Sequence, residues 1–101
     1  MSLVSIILPY FNKEKYIKET IRSLLNQTYQ NFEIIIVDDE ISDESNSILT
    51  KIKELDRRIF ILKNLKNLGA GYSRNKAIKF SKGKFLFIFS ENHFENIVAP
   101  L

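Results

Sequence analysis

The feature that most limits what this chain can fold into is the run of four β-branched residues IIIV at 34–37, within the stretch FEIIIV, which leads directly into Asp38, Asp39 and Glu40. A continuous apolar run rich in β-branched residues is typical of a strand buried on both faces, as in a parallel sheet with helices on each side. Three adjacent carboxylates repel one another, so their position needs an explanation. Two interpretations are open: the acids solvate the strand end and cap the next helix, or they line a binding site.

Around this run the hydrophobic periodicity alternates between strand and helix. Short apolar runs predict strands at residues 4–8, 32–37, 59–62 and 85–89, the first of them ended by Pro9. Helical spacing predicts three helices between the strands. The first has one apolar stripe of Ile17, Ile21, Leu24 and Leu25, the second has Ile48, Leu49, Ile52 and Leu55 inward, and the third runs through Ala77, Ile78 and Phe80. The predicted caps are Asn12 for the first helix, Ser42 or Asp43 for the second, and a left-handed terminus at Lys82 and Gly83 for the third.

The order β-α-β-α-β-α-β predicts an α/β fold of the Rossmann-like type, three layers α/β/α around a mainly parallel four-stranded sheet. In such sheets a ligand binds outside the carboxyl ends of the strands, near the point where the strand order reverses. Residues 9–12, 38–40 and 90–92 follow predicted strands at that edge. This placement favours a binding role for the acids.

Composition limits the class of protein. With 101 residues, 45% of them hydrophobic, residues 1–101 fit one domain with a real core. The absence of cysteine excludes disulfides and thiolate metal sites, and fits a cytoplasmic location. No apolar run approaches the roughly 20 residues that span a bilayer, and the N-terminus lacks the basic leader of a signal peptide.

The charge is unevenly distributed along the chain. Residues 1–50 hold four Lys/Arg against eight Asp/Glu, whereas residues 51–101 hold eleven against four. Such a split is compatible with a basic face for phosphate, nucleic acid or anionic lipid, or with the solvated sides of helices. The Lys and Arg residues are scattered without interleaved aromatics, so we expect no nucleic-acid partner.

Several motifs in order resemble one known family. Residues 9–12 read PYFN, residues 25–29 LNQTY, residues 37–39 VDD and residues 71–77 GYSRNKA. Together they are similar to the P-x-Y-N, L-x-Q-T-Y/F, V-D-D-G-S and G-x-x-x-A-R-N-x-G/A motifs in the N-terminal, nucleotide-binding half of the inverting family-two glycosyltransferases, whose fold is called GT-A. The similarity covers residues 4–89. It implies binding of a nucleotide-diphosphate sugar, commonly a uridine one.

The resemblance also implies roles for individual residues. Asp39 would accept a charge-assisted hydrogen bond from the imino N–H of the base, with Asp38 in the same pocket or behind it. Pro9 and Phe11 would contact the base, although Phe11 lacks the hydroxyl of the usual tyrosine. Arg74 would lie over the base or the diphosphate, which its planar fork suits.

The fourth strand departs from the family pattern. Family members end it with a D-x-D motif that holds a divalent cation, Mn²⁺ or Mg²⁺, on the diphosphate. Here Phe89 replaces the first acid, Glu91 the second and Asn92 the acid after it. Glu91 is therefore the one metal ligand that the sequence offers at this point, and a single carboxylate predicts weak metal binding.

Family members continue well beyond this length, into an acceptor pocket and a catalytic base. We expect the acceptor-binding half to be absent from this chain, and we assign no catalytic residue.

Three interpretations remain: the donor-binding half of a UDP-sugar glycosyltransferase that acts on a glycan or lipid at the cytoplasmic membrane face, a degenerate member that binds nucleotide or a protein partner, and a receiver-type signalling domain. The last is disfavoured, since receiver domains place their acid pair after the first strand. An uncovered fourth strand also predicts a homo-oligomer.

Overall fold

The computed structural model describes residues 2–10, 14–39, 42–63, 70–89 and 94–100, and within these the backbone alone of residues 70–74, 89 and 94–100. Strands and helices alternate along most of the chain. The strands are β1 (Val4–Tyr10), β2 (Phe32–Asp38), β3 (Ile59–Lys63), β4 (Phe85–Phe89) and β5 (Phe94–Pro100), and the helices are α1 (Glu14–Leu25), α2 (Asp43–Lys53) and α3 (Ala70–Phe80).

The strands form one sheet in the order β3-β2-β1-β4-β5. The pairs β1–β2, β1–β4 and β2–β3 are parallel, which confirms the predicted α/β fold with its mainly parallel sheet. The structure adds a fifth strand, β5, antiparallel to β4. The expectation that the fourth strand is left uncovered was therefore wrong. The interrupted apolar pattern of residues 94–100 resembles none of the strands before it, which is why the sequence did not predict β5.

Two hydrophobic clusters lie on opposite faces of the sheet. On one face α1 and α2 bury Ile17, Ile21, Leu24, Ile48, Leu49 and Ile52 against even-numbered residues of β1 and β2. On the other face α3 places Ala77 against Ile7, Ile35 and Val37. Every residue of β2 is buried, as the continuous apolar run predicts. The helices lie on both faces because the crossovers through α1 and α2 run in one direction from β1, and the crossover through α3 runs back to β4.

Pro9 does not end β1. The strand continues through it to Tyr10, in register with Val37 and Asp38 of β2. Successive residues of a parallel strand direct their N–H and C=O groups to alternate neighbours, and the Tyr10 carbonyl accepts from the Asp39 N–H on the β2 side. The backbone nitrogen of Pro9 therefore points toward β4, beyond the last β1–β4 pair at Ile7. No ladder hydrogen bond is lost, and the proline is tolerated in a central strand.

Two smaller predictions about helix ends were also wrong. Leu55 is not inward: α2 ends at Lys53, and Leu55 is 57% exposed in the turn that follows. Gly83 is not a left-handed cap, because α3 ends at Phe80 and the backbone φ of Gly83 lies outside the left-handed region. The glycine is needed for space, since a Cβ at this position would lie 2.6 Å from the Ser5 backbone nitrogen and 2.4 Å from its Oγ.

The amino edge of the sheet holds a buried carboxylate. Glu33 of β2 accepts hydrogen bonds from the Ser5 hydroxyl at 2.5 Å and from the Lys82 N–H at 2.6 Å. The Ser5 Oγ accepts in turn from the Gly83 N–H at 2.8 Å. A buried charge is tolerated only when it is hydrogen-bonded, and these donors meet that need. The network fixes the connection from α3 to β4 against β1 and β2.

Arg58 joins the amino ends of β2 and β3. Its guanidinium binds both carboxylate oxygens of Asp56 at 2.9 Å and the Gln30 carbonyl at 2.6 Å, while it stacks on the Phe32 ring at 4.2 Å from the centroid. The bidentate geometry and the aromatic face together make this a stronger tie than an ordinary surface ion pair. The hydrogen bonds from Arg58 lower the pKa of Asp56 from its ordinary 3.8 to about 2.

The close approach at Gly83 predicts that Gly83→Ala destabilises the fold. The added methyl has to displace the Ser5 backbone within β1, and overpacking of this kind costs about 1–3 kcal/mol. Chemical denaturation followed by circular dichroism measures the change. Lys82→Ala is the matched control, because it shortens an exposed side chain and keeps the N–H that binds Glu33. Equal stability of the alanine variant at position 83 and the natural chain would contradict the steric explanation.

The Asp56–Arg58 pair predicts a share of the acid sensitivity of the fold. A carboxyl whose folded-state pKa is lowered stabilises the fold above its unfolded pKa, and this contribution disappears as the pH falls through the folded value. For Asp56 it should amount to about 1–2 kcal/mol, present above about pH 4 and lost toward pH 2. Urea denaturation at pH 5, 4, 3 and 2 tests this: Asp56→Asn should lower stability at pH 5 and flatten the decline, and parallel curves for the two chains would refute it.

Candidate nucleotide-binding site

The candidate site lies at the carboxyl edge of the parallel strands. Tyr10 of β1, Asp38 of β2 and Lys63 of β3 are in register there, so three neighbouring strands end side by side. The strand order reverses between β1 and β4, next to this group. Open α/β sheets bind ligands in the crevice at such a reversal, outside the carboxyl ends of the strands.

Asp38 is a buried acid with a structural partner. It is 1% exposed, and its Oδ2 accepts a hydrogen bond of 2.9 Å from the hydroxyl of Ser45, which is itself fully buried. Ser45 lies in the first turn of α2, where the helix dipole also favours a negative charge. Asp38 therefore connects the end of β2 to the beginning of α2. One initial interpretation was that the acids solvate the strand end. Asp38 does not do so, because it is buried.

Ser42 is the cap of α2, as one of the two predicted alternatives had it. Its Oγ accepts from the Ser45 N–H at 2.9 Å, and the Ser45 Oγ accepts from the Ser42 N–H at 3.0 Å. This reciprocal pair is a capping box in which serine replaces the usual Glu or Gln. Asp43 instead occupies the first position of the helix, where its charge favours the dipole.

Asp39 is fixed through its backbone to β1. Its N–H donates to the Tyr10 carbonyl at 2.9 Å, and the residue is 6% exposed. Because side chains of an extended chain alternate between the faces of a sheet, Asp39 lies on the α3 side, opposite Asp38. A carboxylate held at a largely dry edge forms stronger hydrogen bonds than one in water. The side chains of Asp38 and Asp39 thus lie on opposite faces of the sheet.

Lys63 ties both helical layers to the end of β3. Its ammonium donates to Asn46 Oδ1 in the first turn of α2. Its carbonyl accepts from the Lys76 ammonium on α3 at 2.6 Å. Two cations thus lie at the same edge as the buried acids. The arrangement holds the first turn of α2 and the middle of α3 close to the end of β3.

The structure brings Pro9, Asp38 and Asp39 together at this edge, on two adjacent strands. Arg74 lies in the amino-terminal half of α3, which begins at Ala70 after β3, and its side chain is outside the described part. Phe11, Asn12 and Glu91 lie outside the described residues, so their predicted roles as base contact, cap and metal ligand stay predictions.

Sequence reasoning missed Ser45. A signal for it existed in the spacing of Ser42 and Ser45, which matches the S-x-x-E/Q pattern of a capping box with serine in the last place. What the sequence did not show is that the same hydroxyl reaches Asp38 seven residues back. That contact depends on how α2 returns over β2.

Within the ranges that the structure describes, no three His, Cys, Asp or Glu residues form a metal cluster. At the end of β4, where a carboxylate would hold a cation, the chain has Phe89, whose side chain offers no ligand. An open groove of about 950 Å³ lies at the opposite, amino edge and is lined in part by Asp56 and Arg58. Because Asp56 and Arg58 are paired with each other, the carboxyl edge, and not this groove, is the candidate site.

The doubly wound sheet and the buried acids at the reversal of strand order define the class of α/β nucleotide-binding domains. Comparison with known families then places the chain within it. Residues 5–96 match the family described as "Glycosyl transferase family 2", and the chain belongs to that family. The match continues past residue 89, where the sequence resemblance was expected to end, and into β5.

Known relatives and solved structures agree with this assignment. The chain is 44% identical over 94 residues to the Escherichia coli UDP-Glc:alpha-D-GlcNAc-diphosphoundecaprenol beta-1,3-glucosyltransferase WfaP. The alignment covers 92% of this chain and 37% of that protein. It resembles Staphylococcus aureus TarS 1-349 in complex with UDP-GlcNAc with a TM-score of 0.73 and 32% identity, over 88% of this chain and 26% of that one.

A third similarity concerns the fold alone. The mannosyltransferase PcManGT from Pyrobaculum calidifontis, solved in complex with GDP-Man and Mn²⁺, matches with a TM-score of 0.77 at 21% identity, over 85% of this chain and 26% of that one. The chain thus spans about a quarter to a little over a third of the length of these proteins. Among the described residues, no helix is long and apolar enough to cross a membrane.

Proposed function

We propose that the chain is the donor-binding part of a glycosyltransferase that transfers a sugar from a UDP-linked donor to a glycan or lipid acceptor. The observation that supports this most directly is the position of Asp39, nearly buried and pinned to Tyr10 beside the reversal of strand order. Uracil offers an imino N–H, for which a desolvated carboxylate is a strong acceptor. The similarity to WfaP, a UDP-Glc glucosyltransferase, and to the TarS complex with UDP-GlcNAc supports a uridine nucleotide.

The other residues of the proposed pocket complete the base and diphosphate contacts. Pro9 and Phe11 would form the wall against the base on the β1 side. Arg74 on α3 would lie over the base or the diphosphate, where a guanidinium neutralises the charge that develops on the leaving group. Asp38 would support the pocket from behind. We assign no catalytic base, and we propose that the acceptor-binding half lies outside residues 1–101.

A divalent cation fits this site poorly. Mg²⁺ and Mn²⁺ prefer several hard oxygen ligands, and the family position at the end of β4 holds Phe89. Glu91 is the carboxylate that remains to bind a cation together with the diphosphate. A metal, when bound, would neutralise diphosphate charge. We propose that nucleotide affinity here depends on Asp39 and gains little from metal.

The replacement of the family's metal-binding acid by Phe89 also supports a second candidate function. A family member with a weakened metal position would bind the nucleotide or a protein partner without transferring sugar. The two candidates share the donor pocket and differ in turnover, so product formation by the longer protein of which this chain would be part separates them. For either candidate we propose a cytoplasmic location, at the membrane face where lipid-linked acceptors are found.

Calorimetric titration with UDP tests the pocket. Asp39→Ala should weaken UDP binding by roughly tenfold to a hundredfold, the value of one charge-assisted hydrogen bond to the base. Asp43→Ala is the matched control, because it removes an exposed acid from the first turn of α2. Adding Mn²⁺ should change the affinity by less than about threefold, a gain that Glu91→Gln removes. Absence of UDP binding by the natural chain, or equal binding by the position-39 variant, would overturn the proposal.

We also propose that the isolated chain forms a homo-oligomer. The unpaired fourth strand that first suggested this is covered by β5, so the expectation now rests on β3, which is the outer strand at the other end of the sheet. An outer strand presents backbone groups that a second copy can pair. Light scattering after gel filtration should give at least twice the 11.8 kDa chain mass. A monomer at high concentration would refute this expectation.

A further inference from the structure

The two adjacent acids at the end of β2 are held by separate sets of contacts. Asp38 is on the α1 and α2 face and accepts from Ser45, and Asp39 follows on the opposite face with its N–H on Tyr10. The chain between Asp39 and the capping residue Ser42 is only two residues long. Contacts on both sides therefore hold the backbone that carries the Asp39 carboxylate.

On the β1 side Asp39 is held by the Tyr10 carbonyl, and on the α2 side the Ser45 hydroxyl holds Asp38. Ser45 donates to Asp38 at 2.9 Å, is paired with Ser42 in the capping box, and is fully buried. The Ser45 hydroxyl thus ties the end of β2 to the first turn of α2, and the same Oγ lies 3.0 Å from the Ser42 carbonyl. Asn46, the next residue, binds Lys63 of β3 and holds the same turn of α2.

We propose that Ser45 is a positioning residue for nucleobase selection: through Asp38 it fixes the direction in which Asp39 meets the base. This inference rests on the proposed UDP site. Uracil presents an N–H at ring position 3, whereas cytosine presents a lone pair there. A carboxylate aimed along this direction accepts from the first base and repels the second. If the Asp39 carboxylate is no longer held in this direction, the preference for UDP over CDP should fall more than the affinity for nucleotides in general.

The test is calorimetric titration of the full chain with UDP and with CDP. Ser45→Ala should raise the Kd for UDP by about threefold to tenfold, the scale of coupling within one hydrogen-bond network. The Kd for CDP should stay within about twofold, so the UDP-to-CDP preference falls. Ser45→Thr should restore the preference. Ser47→Ala, the same change at an exposed position of α2, is the matched control and should leave both values unchanged.

Two further variants separate positioning from a purely structural role. In an Asp39→Ala background, Ser45→Ala should change the Kd for UDP by less than about twofold, because the carboxylate that it positions is absent. Asp38→Asn keeps an oxygen that accepts from Ser45, so it should retain the UDP preference. This variant also keeps the proposal testable if the alanine variant at position 45 does not fold.

The outcomes distinguish the two proposals. If the natural chain binds UDP and Asp39→Ala weakens it, the pocket stands. The positioning role is then overturned by an unchanged preference in Ser45→Ala, by an equal loss for both nucleotides, or by a loss of preference in Asp38→Asn as large as that in Asp39→Ala. If the natural chain binds neither nucleotide, the proposed function and this inference fail together.

Discussion

The parallel pairing of β1 with β2 is the interaction on which the rest of the structure depends. It runs over seven residue pairs, from Val4 with Phe32 to Tyr10 with Asp38. Because β2 then lies between two other strands and is covered on both faces, all seven of its residues are buried. Burial of that extent supplies much of the free energy of the fold, at roughly 25 cal/mol for each Å² of apolar surface removed from water.

The polar groups at the two ends of β2 are held in different ways. Glu33 near its beginning is satisfied by the Ser5 hydroxyl and by a backbone N–H after α3. At the carboxyl end the pattern differs, because Asp38 is held from the helix on one face and Asp39 from the neighbouring strand. A sheet edge at which successive acids are fixed in opposite directions can place one of them toward a ligand without moving the other.

Much of this arrangement could be predicted from the sequence, because it depends on local periodicity. The four parallel strands, the buried stripes of α1 and α2, the Ser42 cap and the acids at a sheet edge all follow from short-range patterns. Features that depend on a contact in the folded structure, and not on a local sequence pattern, could not be predicted. Gly83 is required by Ser5, β5 by its pairing with β4, and the Asp38–Ser45 contact by the return of α2 over the sheet.

Pro9 has a consequence for the crevice itself. A parallel ladder between β1 and β4 that continued past Ile7 would need an N–H from residue 9, and proline has none. The regular ladder between β1 and β4 therefore cannot continue through residue 9, and its last pair is Ile7 with Ile88. A single proline thus sets the length of this ladder at the point where the strand order reverses.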